Sequence, residues 1–249
     1  MLSRLQGAIL AMVLLPVGVS AQESEVLPGP SASRSLGAAN HGRLEDGVQL
    51  DETRGLRLRS GPGGRWGTAE LVGLIQRAAA RVQDEEPGPP LLVGHLSGPR
   101  GGPLRPHESH QSGRDADLGF YVTDENGVPM DVDAMVRLDE RGCGRSRNGP
   151  VCIDGRRTFM LLAAMVEDPV ARVQWVLLSP GVREQVLASG RRSHVSDEVL
   201  SLVQEITRPR HGSEAHDDHI HVRIYCPVDD RPRCRDRAPF HRLYEGDPP

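Results

Sequence analysis

Asp218-His219-Ile220-His221-Val222-Arg223-Ile224-Tyr225 alternates polar and apolar residues with a period of two. Successive side chains of a strand point to opposite faces. His219, His221, Arg223 and Tyr225 therefore share one face, and Ile220, Val222 and Ile224 share the other. The apolar face belongs in a core, and the polar face lines a cleft or meets water. Two imidazoles two residues apart on one face lie about 6–7 Å apart at Cα, so both can serve one site.

A second alternating stretch runs from Asp115 to Val122. It puts Ala116, Leu118, Phe120 and Val122 on one face and Asp115, Asp117 and Tyr121 on the other. Leu91–Leu96 and Val173–Leu178 read as further strands. Thr68 can cap a helix that carries Leu71, Leu74, Ile75, Ala78 and Val82 at helical spacing. Further helices are expected over Arg156–Glu167, Val182–Ala188 and Ser196–Thr207, and residues 124–154 read as an excursion loop. A few strands with segregated helices make an α+β domain: a small antiparallel sheet with flanking helices. Trp66 and Trp175 are expected in the core.

The chain has 249 residues, with 28 glycines and 20 prolines, which implies loops or tails around a compact centre. All 30 basic residues are arginine, and the net charge is −4. Scattered arginines on an acidic chain argue against nucleic-acid binding. The absence of lysine excludes Schiff-base and P-loop chemistry, so no nucleotide is expected. Residues 1–21 read as a secretory leader: Arg4, an apolar run from Ala8 to Val19, and Val19-Ser20-Ala21 before Gln22. Nothing later is apolar enough to span a membrane, so a periplasmic or secreted product is expected. Residues 22–60 read as a flexible arm, 61–227 as the domain, and 228–249 as a Pro/Arg-rich tail. In an oxidising compartment the four cysteines are expected as two short-loop disulfides, Cys143–Cys152 and Cys226–Cys234.

Six of the ten histidines fall in two stretches, His107/His110 and His211/His216/His219/His221. Such clustering fits metal binding or acid–base work. A histidine from the first stretch, one of Asp115 and Asp117, and one of His219 and His221 would give two nitrogens and one oxygen. That set leaves a fourth position open on a tetrahedral zinc ion for a water whose pKa falls toward ~7. Taken singly, the first stretch reads equally well as a surface turn and the second as an exposed strand face. His41, His95, His194, His211 and His241 carry no pattern and read as structural or surface residues.

His110-x6-Asp117 followed by His219-x-His221 resembles the metal signature of the lysostaphin / D-Ala-D-Ala metallopeptidase / hedgehog-fold group. Gly101-Gly102-Pro103, Ser109-His110-Gln111-x-Gly113-x-Asp115-x-Asp117 and His216-x-x-His219-x-His221-Val222-Arg223 are more closely similar to penicillin-insensitive murein endopeptidases. The resemblance implies His110, Asp117 and His221 as zinc ligands on the sheet face, with His107 as a possible ligand or supporting partner. It implies His219 as the base for the attacking water and His216 as a second catalytic histidine. Asp115 would orient the loop or a ligand imidazole, and Arg223 is a candidate for a substrate carboxylate or for a structural salt bridge. The activity implied is hydrolysis of D-alanyl–diaminopimelate cross-links in peptidoglycan by a zinc-activated water. The alternatives are a peptidoglycan D,D- or L,D-carboxypeptidase or dipeptidase, and a zinc-stabilised, non-catalytic cell-wall-binding domain. The family members differ in cysteine number, and the arm and tail align with nothing in them.

Overall fold

A computed structural model describes residues 32–241, so the secretory leader expected over 1–21 lies outside the described residues. In chain order the elements begin with β1 (Arg34–Ala38), β2 (His41–Glu45), β3 (Val48–Gln49), β4 (Leu56–Leu58) and β5 (Trp66–Gly67). Helix α1 (Ala69–Glu85), β6 (Leu91–Val93) and β7 (Asp115–Leu118) follow, then β8 (Val122–Thr123), β9 (Pro129–Met130), β10 (Cys143–Ser146) and β11 (Gly149–Ile153). The rest comprises α2 (Gly155–Val166), β12 (Val173–Leu177), α3 (Pro180–Arg192), α4 (Asp197–Ile206) and β13 (Ile220–Ile224).

The central sheet has the order β12-β13-β7-β6-β4. Its first three pairings are antiparallel, but β4 joins β6 in parallel, so the sheet is mixed rather than purely antiparallel. The alternation in β13 works as expected: Ile220, Val222 and Ile224 are fully buried and pack in one cluster with α1, α2 and α4. Helix starts follow the capping chemistry. Thr68 accepts from the Leu71 amide, Asp154 from Arg157 and Ser196 from Val199, each satisfying an otherwise orphaned first-turn N–H.

Four expectations need correction. Residues 124–154 are not a plain loop: β10-β11-β8-β9 form a second sheet, with Cys143 paired opposite Cys152 and bonded to it. The arm is folded from Arg34 onward, because β1 and β2 form a hairpin and β4 extends the central sheet. The tail is anchored as well. Cys226 bonds to Cys234, Asp230 accepts from the Ser35 amide (2.7 Å), and His241 meets the Gln174 carbonyl (2.6 Å). Both disulfides pair as expected. Finally, neither tryptophan is core: Trp66 and Trp175 are both half-buried.

Arm, sheet and tail meet at Arg114, whose side chain is 1% exposed. It bonds Ser35 Oγ, the Ile224 carbonyl and Asp236 (2.7 Å). Burial disfavours its charge, and Asp236 is the largest opposing influence. Removing one partner strands the other charge in the interior. Asp236→Ala is therefore expected to destabilise the protein by about 3–5 kcal/mol, read as a shift in the denaturant unfolding midpoint.

Candidate metal centre

The register of β13 against β7 sets His221 opposite Asp117 and Arg223 opposite Asp115. Cross-strand partners share a face. On the other side of β13, Leu177 and Trp175 of β12 stand opposite His221 and Arg223. The polar face of the sheet thus carries two rows, Leu177–His221–Asp117 and Trp175–Arg223–Asp115. The loop from β6 to β7 delivers His107 and His110 to the first row.

The backbone around His110 is tightly specified. His110 has φ +65°, a left-handed conformation that a side-chain-bearing residue adopts rarely. Such geometry persists only where the surroundings impose it. Ser97 Oγ donates to the His110 carbonyl at 2.6 Å. Gly101, at φ +67°, lies so close to the Gln111 carbonyl that a Cβ would collide with it. Glycine at this position follows from that approach.

Each imidazole is anchored through one nitrogen. His110 Nδ1–H donates to the Leu96 carbonyl (2.6 Å), His221 Nε2–H to Asp115 Oδ1 (2.9 Å) and His219 Nδ1–H to Asp218 Oδ1 (2.6 Å). A carbonyl or carboxylate only accepts, so these bonds fix the tautomers and leave the opposite nitrogens as lone pairs. Those nitrogens converge on one atom. His110 Nε2 and His221 Nδ1 stand 3.2 Å from Asp117 Oδ1, and His219 Nε2 stands 3.4 Å from it. His110 Nε2 and Asp117 Oδ1 are buried without hydrogen-bond partners among the described residues.

Lone pairs crowded on a carboxylate require a cation, either protons or a metal. The spacings fit a metal: ligands about 2.0–2.1 Å from a tetrahedral zinc ion lie ~3.4 Å from each other. Two neighbouring groups here bring ligand atoms close enough to hold an ion, His107/His110/Asp117 and His216/His219/His221. Protons act on the same groups. Burial disfavours the Asp117 carboxylate, yet the imidazoles of His110, His219 and His221 crowded on it hold its pKa far below the usual range. Burial opposes charge on His219, but Asp117 and Asp218 outweigh it and push its pKa up to about 9. The Asp115 carboxylate is likewise held low: burial is outweighed by Arg223 and His221.

The remaining expected residues fall nearby in different settings. His107 Nδ1 lies 3.5 Å from Asp117 Oδ2, and burial takes its pKa down to about 4. His216 donates Nδ1–H to the Gly212 carbonyl (2.7 Å), and burial takes its pKa to about 4. Its ring centroid is 4.9 Å from that of His219. Arg223 bonds Asp115 Oδ1 at 2.6 Å and packs over Trp175, so it braces the partner of His221, as the salt-bridge reading expected.

Two participants were not legible in advance. His95, read as bland, bonds His107 through Nδ1···Nε2 at 2.9 Å. Asp218 orients His219. Its immediate precedence to His219 was the available signal; nothing in the sequence marked His95.

Residues 35–246 match the family model described as penicillin-insensitive murein endopeptidase. Proteins of that name show 28% identity in Haemophilus influenzae, over 70% of this chain and 56% of that protein. In Klebsiella pneumoniae the identity is 23%, over 93% of this chain and 81% of the relative. In Escherichia coli O157:H7 it is 24%, over 89% of this chain and 78% of the relative. The chain thus spans just over half the length of the Haemophilus protein and about four-fifths of the other two. The matched span covers both histidine stretches, the β7–β13 pairing and the anchored arm and tail, and the chain belongs to the penicillin-insensitive murein endopeptidase family.

Proposed function

We propose that the chain is an exported zinc endopeptidase that hydrolyses D-alanyl–diaminopimelate cross-links of peptidoglycan. The observation that carries this reading is the convergence of three tautomer-locked imidazoles on Asp117 Oδ1. Family membership supplies the substrate class. The two disulfides suit an exported protein, and no helix among the described residues is long and apolar enough to cross a membrane. The wider kinship with the lysostaphin / D-Ala-D-Ala metallopeptidase / hedgehog-fold group belongs to the same proposal.

His110 Nε2, Asp117 and His221 Nδ1 hold the ion, and His107 lies beside them as a further donor or support. Two neutral imidazoles and one carboxylate leave a position for water, as a catalytic zinc site requires. When bound, zinc supplies a Lewis acid for the scissile carbonyl, brings a coordinated water toward a pKa of ~7, and offsets the Asp117 charge that raises His219. His219 Nε2 then accepts the proton of the attacking water, while Nδ1–H stays on Asp218 and keeps the ring in place. Because Gly212 holds the Nδ1–H of His216, Nε2 is its working nitrogen. In the neutral ring Nε2 accepts; the proton that His219 takes from the water passes to it, and from there to the oxyanion or the leaving amine. Asp115 keeps His221 oriented, as carboxylates behind ligand histidines do. No acyl-serine forms in such a cycle, so a β-lactam has nothing to trap.

A purified cross-linked muropeptide dimer tests the reading. Conversion to monomers supports the endopeptidase. Loss of a terminal alanine alone selects the carboxypeptidase, and no conversion at all selects the binding domain.

A further inference from the structure

The second row of the polar face, Trp175–Arg223–Asp115, ends in an arrangement that the proposed hydrolysis does not use. Arg210 lies in the segment between α4 and β13. Its amide donates to Ser213 Oγ (3.0 Å), in the same turn that presents the Gly212 carbonyl to His216. Its guanidinium packs over the Trp175 ring, with Cζ 4.6 Å from the centroid. Arg223 packs over the same ring at 4.6 Å.

Two features set Arg210 apart. Other sheltered arginines hold a carboxylate or a backbone carbonyl: Arg77 holds Asp168, Arg114 holds Asp236, Arg223 holds Asp115, Arg157 reaches the Pro89 carbonyl and Arg183 that of Thr207. Arg210, half-buried, has no carboxylate within ion-pair distance among the described residues, and its Nε is buried without a hydrogen-bond partner. The Trp175 indole Nε1 is also buried without a partner. Both orphans are N–H donors, and only an acceptor satisfies both. The charged and titratable groups around Arg210 are Glu205, Tyr225, Arg208 and Arg223. Glu205 is already engaged by Arg208 and His241, which leaves the surroundings cationic.

We propose that Arg210 and the Trp175 indole N–H form a subsite for a carboxylate of the substrate peptide. This rests on the endopeptidase reading for the identity of the peptide, not for the existence of the subsite. Trp175 stands one strand across and two residues along from His221, about 8 Å between Cα atoms. An extended peptide covers that distance in two to three residues, at ~3.3–3.6 Å each. A carboxylate that far along the chain would reach Arg210 while the scissile bond sits at the metal. The planar guanidinium binds a carboxylate in bidentate fashion, which favours that group over a neutral amide.

Calorimetric binding of a disaccharide–tetrapeptide muropeptide tests this, because the ligand has no cross-link to cleave. Its carboxylates are left free or converted to amides, and each form is titrated into metal-loaded wild type, Arg210→Gln and Arg210→Lys. Unchanged metal content and unfolding midpoint establish that the variants are folded. Amidation is expected to weaken wild-type binding by about tenfold or more. Arg210→Gln is expected to weaken the free form about as much and to bring the two forms within about twofold of each other, while Arg210→Lys retains part of the preference. Equal weakening of both forms by Arg210→Gln, no effect of the substitution, or no binding of either form by wild type would each overturn the subsite. An Arg210-dependent preference in a protein that leaves cross-linked dimers intact would sustain the subsite and reject the endopeptidase.

Discussion

Replacing His219 with alanine is expected to leave the bound metal in place and lower kcat on a cross-linked muropeptide by about 10²–10⁴-fold, the range of positioned proton transfer. His219 has its second nitrogen set by the carboxylate of its sequence neighbour, Asp218 at 2.6 Å. It lies just before β13, while His221 sits within the strand and is 7% exposed. Truncation at 219 therefore removes a proton acceptor at the rim and spares His110, Asp117 and His221. The checks are steady-state kinetics and metal content per chain. An interaction made only in the transition state lowers kcat and kcat/KM together. A variant that loses metal would make His219 a ligand instead, and a variant as fast as wild type would remove it from the mechanism.

Asp117→Ala is expected to abolish activity by the opposite route, with retained metal falling below about 0.1 ion per chain after dialysis. Asp117 contributes the only anion among the proposed ligands, and its Oδ1 is the atom on which three imidazole nitrogens converge. Without it, two neutral nitrogens remain to hold a divalent ion. The fold is expected to survive, because Asp117 lies on the polar face of β7 while Ala116 and Leu118 pack in the core. Circular dichroism checks the fold, and metal analysis checks the site. The two variants form a contrast: both lose activity, but only Asp117→Ala loses metal. If Asp117→Ala keeps its ion, the proposed ligand set is wrong.

Much of the site could be read from two periodicities. Alternation in 218–225 assigned His221 and Arg223 to one face, and alternation in 115–122 did the same for Asp115 and Asp117. The pairing of β13 with β7 then brought the two polar faces together. Spacing alone could not separate Asp115 from Asp117, because both lie on the same face. The structure distinguishes them by what they touch: Asp117 meets lone pairs, whereas Asp115 accepts from His221 and Arg223. His95 stayed hidden because it follows an apolar run with no pattern, and its partner His107 is set by the path of a loop.

The arm and tail were misread for a related reason. Strands β3, β4 and β5 are two or three residues long, too short for alternation to show. The order of this region comes from distant partners, Ser35 with Asp230 and Arg114 with Asp236. The Gly/Pro-rich composition correctly indicated irregular backbone but said nothing about whether that backbone was anchored. Trp175 was expected in the core, whereas its register opposite Arg223 puts it on the polar face.

Digestion of purified peptidoglycan, followed by muropeptide analysis with and without a chelator, tests the central claim most directly. Metal-loaded wild type is expected to convert cross-linked dimers to monomers. Chelation should stop the conversion, and one equivalent of zinc should restore it. Dimer cleavage that continues unchanged after the metal has been removed would contradict the account.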